Sequence, residues 1–315
     1  MLKILKKNKL SYYIEGLIIS RFPVQEFSKK INQLKKKLTA EELSKVDQRV
    51  SYYNKLNERR TIIAGVTIKD LEKPKTPKSY YFDTYQFAKH FPKSQPINFL
   101  FGDITDIPST PSIVKSRPIA DNNQNSILLN LDKARHFIWV SNDKEFKQKK
   151  DFLIGRGAIF GNQKNRIDFY TKYFNHALCN LGQTNDYENN EWKKPKISIE
   201  EHLDYKFILS LQGNDVATNL KWIMSSNSIA VMPKPTMETW FMEGKLIAGK
   251  HYIEIKDDFS DLEEQLNFFL QHPDKCAEII QNAHEHCAQF FNKGVERLTS
   301  LLVLEKYFKT IGNNQ

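Results

Sequence analysis

Cysteine is scarce in this sequence: Cys179, Cys276 and Cys287 are the three in a chain of 315 residues. Three scattered thiols exclude a disulfide-framed scaffold, and each reads as a small buried apolar side chain in a reducing compartment. Long apolar runs are missing too. Stretches such as Ile229 to Met232 and Leu301 to Leu304 fall far short of the ~18–20 apolar residues that a membrane-crossing helix needs. The opening MLKILKKNKL is basic but leads into SYYIEG, without the apolar stretch and cleavage site of a secretory leader, so an intracellular protein is expected. Neither GxxxxGK[ST] nor GxGxxG occurs, which argues against P-loop and GxGxxG dinucleotide chemistry. The HEHC cluster (His284, His286, Cys287) lies in a helical pattern where i and i+2 side chains diverge, so no zinc site is expected there.

What is present suffices for a real core: 40% of residues are hydrophobic and 12% aromatic, and the length predicts two domains. We place an N-terminal α/β lobe at residues 1–150 and a second lobe at 151–315, with a final helix that packs back on the first. Positive charge is concentrated at one end. The net charge is +10, and residues 1–60 carry 15 Lys or Arg against 6 Asp or Glu. Such a patch suits anionic lipid, a phosphorylated glycan or nucleic acid equally, and also a merely solvated helix face.

From Phe27 to about Leu56 the pattern is that of a basic amphipathic helix, with Phe27, Ile31, Leu34 and Leu38 at helical spacing. TIIAGVTI, INFLFGDI and SILLNL then read as strands of an α/β lobe. The second half alternates more clearly. Ser198 and Glu201 form a capping box, KFILSLQG reads as a buried strand, and Asn214 or Asp215 can cap a helix over DVATNLKWIMS. SIAVMP is a further strand, TMETWFMEGKL a helix, HYIEI a strand, and Ser260 with Glu263 caps the helix that follows. Strand–helix alternation predicts a mostly parallel sheet with ligands beyond the carboxyl ends of its strands.

Gly213, Asn214 and Asp215 fall at such an end, before a predicted helix N-terminus whose amides and dipole would favour a diphosphate. Arg156, flanked by glycines in GRGAIFGNQKNR, and Arg166 offer planar donors matched to phosphate oxygens. In the first lobe, FLFGDITDIPSTPSIVKSRPI carries Asp103 and Asp106, either of which could take a proton from a sugar hydroxyl, followed by Lys115 and Arg117 as acceptor-side or cleft residues. Glu238, near the start of the predicted METWF helix, could hold sugar hydroxyls or favour the helix dipole.

Taken together, GRGAIFGNQKNR, the long segment from KFILSLQGNDVATNLKW to DLEEQL, and FGDITDIPSTPSIVKSRPI resemble the lipopolysaccharide core transferases of glycosyltransferase family 90, over roughly residues 97–310. The resemblance implies a GT-B architecture, two Rossmann-like lobes with the donor site in the cleft between them. It also implies inverting transfer of glucose or galactose from a UDP-sugar to an inner-core heptose, with no bound metal or other cofactor. On the family pattern Asp103 stands at the catalytic base, with Asp106 as fallback. Arg156 and Gly157 match an Arg-Gly step near the diphosphate, Glu238 matches a glutamate before aromatic residues, and His251 with Tyr252 resembles a His-Tyr pair. Where eukaryotic relatives place an arginine after the glycine turn this chain has Asn219, so Asn214, Thr218 and Lys221 become candidate phosphate contacts. Implied partners are UDP-glucose or UDP-galactose, the core acceptor and the inner face of the cytoplasmic membrane, where the basic N-terminus would hold a peripheral enzyme. The alternative is a non-enzymatic nucleic-acid-binding protein using those basic helices, but no helix-turn-helix, RRM signature or zinc finger accompanies the charge.

Overall fold

The apolar runs KFIL and IAVM become adjacent parallel strands in the computed structural model, which describes residues 2–6, 8–21, 26–62, 66–76, 78–161, 163–187 and 190–313. Among the described residues the helices are α1 (Lys9–Arg21), α2 (Phe27–Lys35), α3 (Ala40–Tyr53), α4 (Lys78–Ala88), α5 (Lys133–His136), α6 (Lys164–Tyr173), α7 (Ile199–His202), α8 (Leu220–Met224), α9 (Leu262–Gln271), α10 (Pro273–Ala288) and α11 (Lys293–Thr310). The strands are β1 (Lys3–Leu5), β2 (Arg60–Ile62), β3 (Phe99–Leu100), β4 (Ser112–Val114), β5 (Ser116–Pro118), β6 (Ser126–Leu128), β7 (Trp139–Ser141), β8 (Lys150–Gly157), β9 (Cys179–Gln183), β10 (Tyr205–Leu209), β11 (Ile229–Met232), β12 (Met237–Thr239), β13 (Ile253–Glu254) and β14 (Ile311–Asn313). They fall into two units, one of residues 1–6, 136–235 and 245–288, the other of 7–135, 236–244 and 289–315.

The first unit is built on a parallel sheet of order β13-β11-β10-β8-β9 among the described residues. Its strands read as unbroken apolar runs because both faces are covered: Leu153, Ile154, Phe207, Ile208 and Val231 have no exposed surface. Phe169 of α6, Leu262 and Leu266 of α9, and Cys276 and Ile279 of α10 complete this core. Helix α7 starts as its sequence requires. Ser198 Oγ accepts from the Glu201 amide at 3.1 Å while the Glu201 carboxylate accepts from the Ser198 amide at 2.6 Å, a closed capping box.

In the second unit β3, β4 and β6 form a parallel sheet of order β3-β4-β6, β5 pairs antiparallel with β12, and β2 pairs parallel with β14. Helix α11 packs against α3, α2 and α4. Its Tyr307 accepts from the Asn98 amide at 2.9 Å and donates to the Pro111 carbonyl at 3.2 Å. The last helix is thereby fixed to the residues that immediately precede β3 and β4.

Several local expectations are overturned. The stretch Phe27 to Leu56 is two helices, because Thr39 and Glu42 close a capping box that starts α3 afresh. No helix begins at Asn214 or Asp215: Asn214 to Val216 form bends and a short helix starts only at Leu220. Asn219, its N-cap residue, spends its side chain on the end of β10, donating to the Leu209 carbonyl at 2.9 Å and accepting from Ser210 Oγ at 3.1 Å. The TMETWF segment is not helical either. Met237 to Thr239 are the extended strand β12, held by pairing with β5 and by the buried partner that Glu238 finds there, so tertiary contact overrides local propensity. Strand–helix alternation therefore lapses between β11 and β13. Ser260 does not cap α9: its amide bonds Asp258 at 3.0 Å, and the residue before the helix is Asp261.

His202, at the end of α7, has its pKa lowered chiefly by burial, and so does His251. A histidine held neutral in the fold contributes stability that is complete above its unfolded pKa of about 6.5 and is lost as pH falls through the lower folded value. Thermal melts from pH 7.5 to 5 should show a steepening loss below about 6.5, shallower in the His202→Gln variant; identical slopes would show that His202 does not contribute.

Candidate functional site

The residues singled out in the sequence divide between the two units. In the first unit, Arg166 sits in the opening turn of α6 and turns its guanidinium back over the carboxyl end of the sheet. Its Nε donates to the Gln212 carbonyl at 3.3 Å, Nη2 to Leu211 at 3.3 Å, and Nη1 to Ala158. Three of five N–H groups are thus used, and the other two, one on each Nη, bond no other described residue. Each Nη lies beside a glycine. A Cβ at Gly157 would stand 3.6 Å from Nη1, and one at Gly213 would stand 3.4 Å from Nη2. Glycine at both positions leaves no side chain against either Nη atom from these two positions.

The loop that follows β10 is tied to α6 at further points. Asn165 donates to the Gln212 carbonyl at 2.9 Å, and Gln163 donates to Asn214 Oδ1 at 3.0 Å while accepting from the Phe160 amide at 3.2 Å. The structure therefore brings Gly157, Arg166, Gly213 and Asn214 together. Gln163 and Asn165 complete the group; both lie inside the GRGAIFGNQKNR string and carried no separate signal. Burial lowers the Arg166 pKa, but a guanidinium remains charged, so the cluster offers a fixed cation to an anion.

Arg156 is elsewhere. Adjacent positions on a strand face opposite ways, and its guanidinium donates to the carbonyls of Gly155 and Asn180 at 2.9 and 2.8 Å and to Asn180 Oδ1 at 2.9 Å. It clasps β8 to β9, with a buried Nε that has no partner among the described residues. Asp215 and Lys221 are buried, Thr218 is half-buried, and Asn219 caps the sheet end as described. His251 Nδ1 accepts from the Ile247 amide at 2.9 Å and Tyr252 donates to Glu254 at 2.6 Å, which are contacts internal to this unit. His284 meets the Ser226 carbonyl at 2.8 Å while His286 faces the His251 ring, so the two point apart.

In the second unit Asp103 follows β3 on a loop whose Gly102 has φ of +127°, a conformation that favours glycine. The buried ammonium of Lys115, between β4 and β5, lies 2.5 Å from Asp103 Oδ1, and Arg135 approaches the same oxygen at 3.8 Å. Ser116 Oγ donates to the Ile104 carbonyl at 3.2 Å, which pins the next residue. The carboxylate is nevertheless one-third exposed. Asp106 is exposed and bonds no other described residue through its side chain. The structure thus fixes one of the two candidate bases and leaves the other in solvent.

Arg117 and Glu238 are directly opposed across β5 and β12, and Arg117 Nε meets Glu238 Oε1 at 2.7 Å with both side chains buried. Three of the four remaining N–H groups of Arg117 go to the carbonyls of Tyr52, Tyr53 and Ser126 at 2.8, 3.3 and 3.0 Å. Tyr52 OH donates to the other Glu238 oxygen, and burial first, then that carboxylate, raises its pKa. Glu238 thus belongs to a buried brace within the second unit. Tyr53 extends the brace by stacking on Trp240 at 3.8 Å and donating to its carbonyl at 2.7 Å. Adjacent tyrosines ending a basic helix gave no hint of this contact.

The family described as "Glycosyl transferase family 90" has a model that matches residues 148–309. A curated protein of Dichelobacter nodosus, named O-glucosyltransferase LpsA, is 39% identical over 310 residues, covering 96% of each chain. The chain belongs to glycosyltransferase family 90. A second relative of this family 90 chain, an uncharacterized protein 179R of Invertebrate iridescent virus 6, is 31% identical over 105 residues, 30% of this chain and 9% of the viral protein. The family match includes β8, α6 and the Gly213 loop, but the pinned Asp103 lies outside it. The Dichelobacter nodosus relative, matched over 96% of this chain, extends across that part. Among the described residues of this family 90 protein no helix is long and apolar enough to cross a membrane, and no group of His, Cys, Asp and Glu is placed to hold a metal ion.

Proposed function

We propose that this glycosyltransferase moves a hexose, glucose before galactose, from a UDP-sugar to an inner-core heptose of lipopolysaccharide or lipooligosaccharide, with inversion at the anomeric carbon. The similarity to an O-glucosyltransferase over 96% of both chains carries the reading. The two units are proposed to act as the lobes of a GT-B enzyme. In the first, Arg166 between Gly157 and Gly213 binds the donor diphosphate, with Asn214 at its side. Arg156 positions this edge by holding β8 to β9. In the second, Asp103 takes the proton of the attacking acceptor hydroxyl. The acceptor oxygen bonds to the anomeric carbon, the bond from that carbon to the diphosphate oxygen breaks, and UDP leaves with the electron pair. Lys115 positions Asp103. The basic first 60 residues hold the enzyme on the anionic inner face of the cytoplasmic membrane.

Release of UDP from UDP-glucose and from UDP-galactose, with truncated lipooligosaccharide as acceptor, tests the reading. Acceptor-dependent release from one of them is expected; failure to bind or consume either donor would overturn it. Charge-assisted hydrogen bonds are each worth about 1.5–3 kcal/mol, so Arg166→Ala should weaken UDP binding roughly 10–100-fold by calorimetry. Arg166→Lys should recover little, because an ammonium cannot reproduce the planar fork. Unchanged affinity in Arg166→Ala would remove this residue from the donor site.

A further inference from the structure

We propose that the outward face of α1, with the lysine-rich segment beside it, is a docking surface for an anionic phospholipid bilayer. The inference deepens the membrane-side part of the function proposed above, and its primary test needs no catalysis.

Helix α1 is apolar on two sides. Its inner side packs on α4: Tyr12 is buried and donates to the Ser79 carbonyl at 3.2 Å, and Gly16 lies so close to Phe82 that a Cβ would come within 2.6 Å of the ring. On the outer side Leu10, Tyr13, Ile14, Leu17 and Ile18 recur at i, i+3, i+4, i+7 and i+8, the spacing of a single helix face. Each is between 38 and 69% exposed. Contiguous apolar surface of this kind marks an interaction site.

Charge complementarity identifies the occupant. The apolar face runs into a groove of about 330 Å³ lined by Tyr13, Leu17, Pro74, Lys78 and Phe82. Lys78 lines the groove, and Lys73 and Lys75 flank its lining residue Pro74; all three lysines are exposed. Nearby acids are few: Asp70 feels the charge of Lys75, Glu72 pairs with Lys93 at 2.6 Å, and Glu15 falls outside the apolar arc. Lysines can lay their stems along apolar surface and keep their ammonium groups at phosphate level. At 13 residues, α1 is about 20 Å long against a hydrocarbon core of about 30 Å. It cannot span the bilayer, so it would lie in the interfacial plane with its outer side chains among the acyl chains.

Sedimentation of the full chain with vesicles of phosphatidylethanolamine and phosphatidylglycerol, against vesicles of phosphatidylcholine alone, tests the proposal. Binding to the anionic vesicles should be at least about tenfold tighter and salt-sensitive. Ile14→Asp with Leu17→Asp should lower it at least about tenfold, and Lys75→Glu with Lys78→Glu should lower it comparably and blunt its salt dependence. All four side chains are on the surface, so melting temperature and transfer to a soluble acceptor sugar should stay unchanged. No vesicle binding by the wild type, or equal binding by the Ile14/Leu17 variant, would overturn the proposal. So would a wild-type dimer that this variant dissociates, which would assign the face to a second copy of the chain. A wild type that binds vesicles but transfers no sugar would instead count against the proposed reaction and leave the docking surface standing.

Discussion

Replacing Asp103 by asparagine should reduce sugar transfer by about 10²–10⁴-fold, the usual contribution of a positioned general base, with donor affinity unchanged. The expectation rests on geometry. One carboxylate oxygen is held 2.5 Å from Lys115, the neighbouring Ile104 carbonyl is pinned by Ser116, and the side chain is still one-third exposed. A carboxylate so fixed and so accessible can accept a proton from a bound hydroxyl; an amide of the same shape cannot. The substitution also takes the counter-ion from a buried lysine, at a stability cost of about 1–3 kcal/mol, so melting temperature and UDP binding must be measured alongside. Lys115→Met separates positioning from proton transfer: it should lower kcat less than Asp103→Asn and change the pH profile. Full activity in Asp103→Asn would move the base elsewhere, with Asp106 the next residue to test.

The largest loss of stability should follow from Glu238→Ala. Arg117 is wholly buried and Glu238 nearly so, 2.7 Å apart. Removing one partner of such a pair leaves an uncompensated buried charge, at about 3–5 kcal/mol, a fall in melting temperature of roughly 10 °C for a chain of this size. Other carbonyls already accept from Arg117, but none carries charge to offset the guanidinium. Arg117→Met combined with Glu238→Leu should recover much of the loss, because a well-packed apolar pair can replace a buried ion pair at little cost. A Glu238→Ala protein that melts like the wild type yet binds UDP-sugar weakly would contradict the bracing role and return Glu238 to the donor.

How legible these features are in the sequence depends on where their partners come from. KFIL and IAVM announce themselves because strands covered on both faces must be apolar at every position, and Ser198 with Glu201 does so because a capping box is local. The Thr39–Glu42 box was equally local, in TAEE, and was hidden by the helical periodicity running across it. Strand β12 was not legible: METWF has helical spacing, and only pairing with β5 and the Arg117 guanidinium makes it extended. The same limit governs the candidate site. GRGAIFGNQKNR marked a glycine-bounded basic segment, but strand alternation, invisible until β8 was placed, sends Arg156 to Asn180 and leaves Arg166 between the glycines. At Gly213 to Asp215 a strand end followed by polar residues suggested a helix N-terminus. Tethering by Asn165, Gln163 and Asn219 gives a loop instead.

The proposed reaction is transfer of a hexose to a core sugar with inversion. The most direct measurement incubates the purified chain with UDP-glucose and a heptose-terminated core oligosaccharide, then reads the product by mass spectrometry and its new anomeric centre by proton NMR. An acceptor heavier by one hexosyl residue is expected, with a β linkage from the α-linked donor and at least about 100-fold slower product formation by Asp103→Asn. An α-linked product, or donor consumed with the acceptor unmodified, would contradict it.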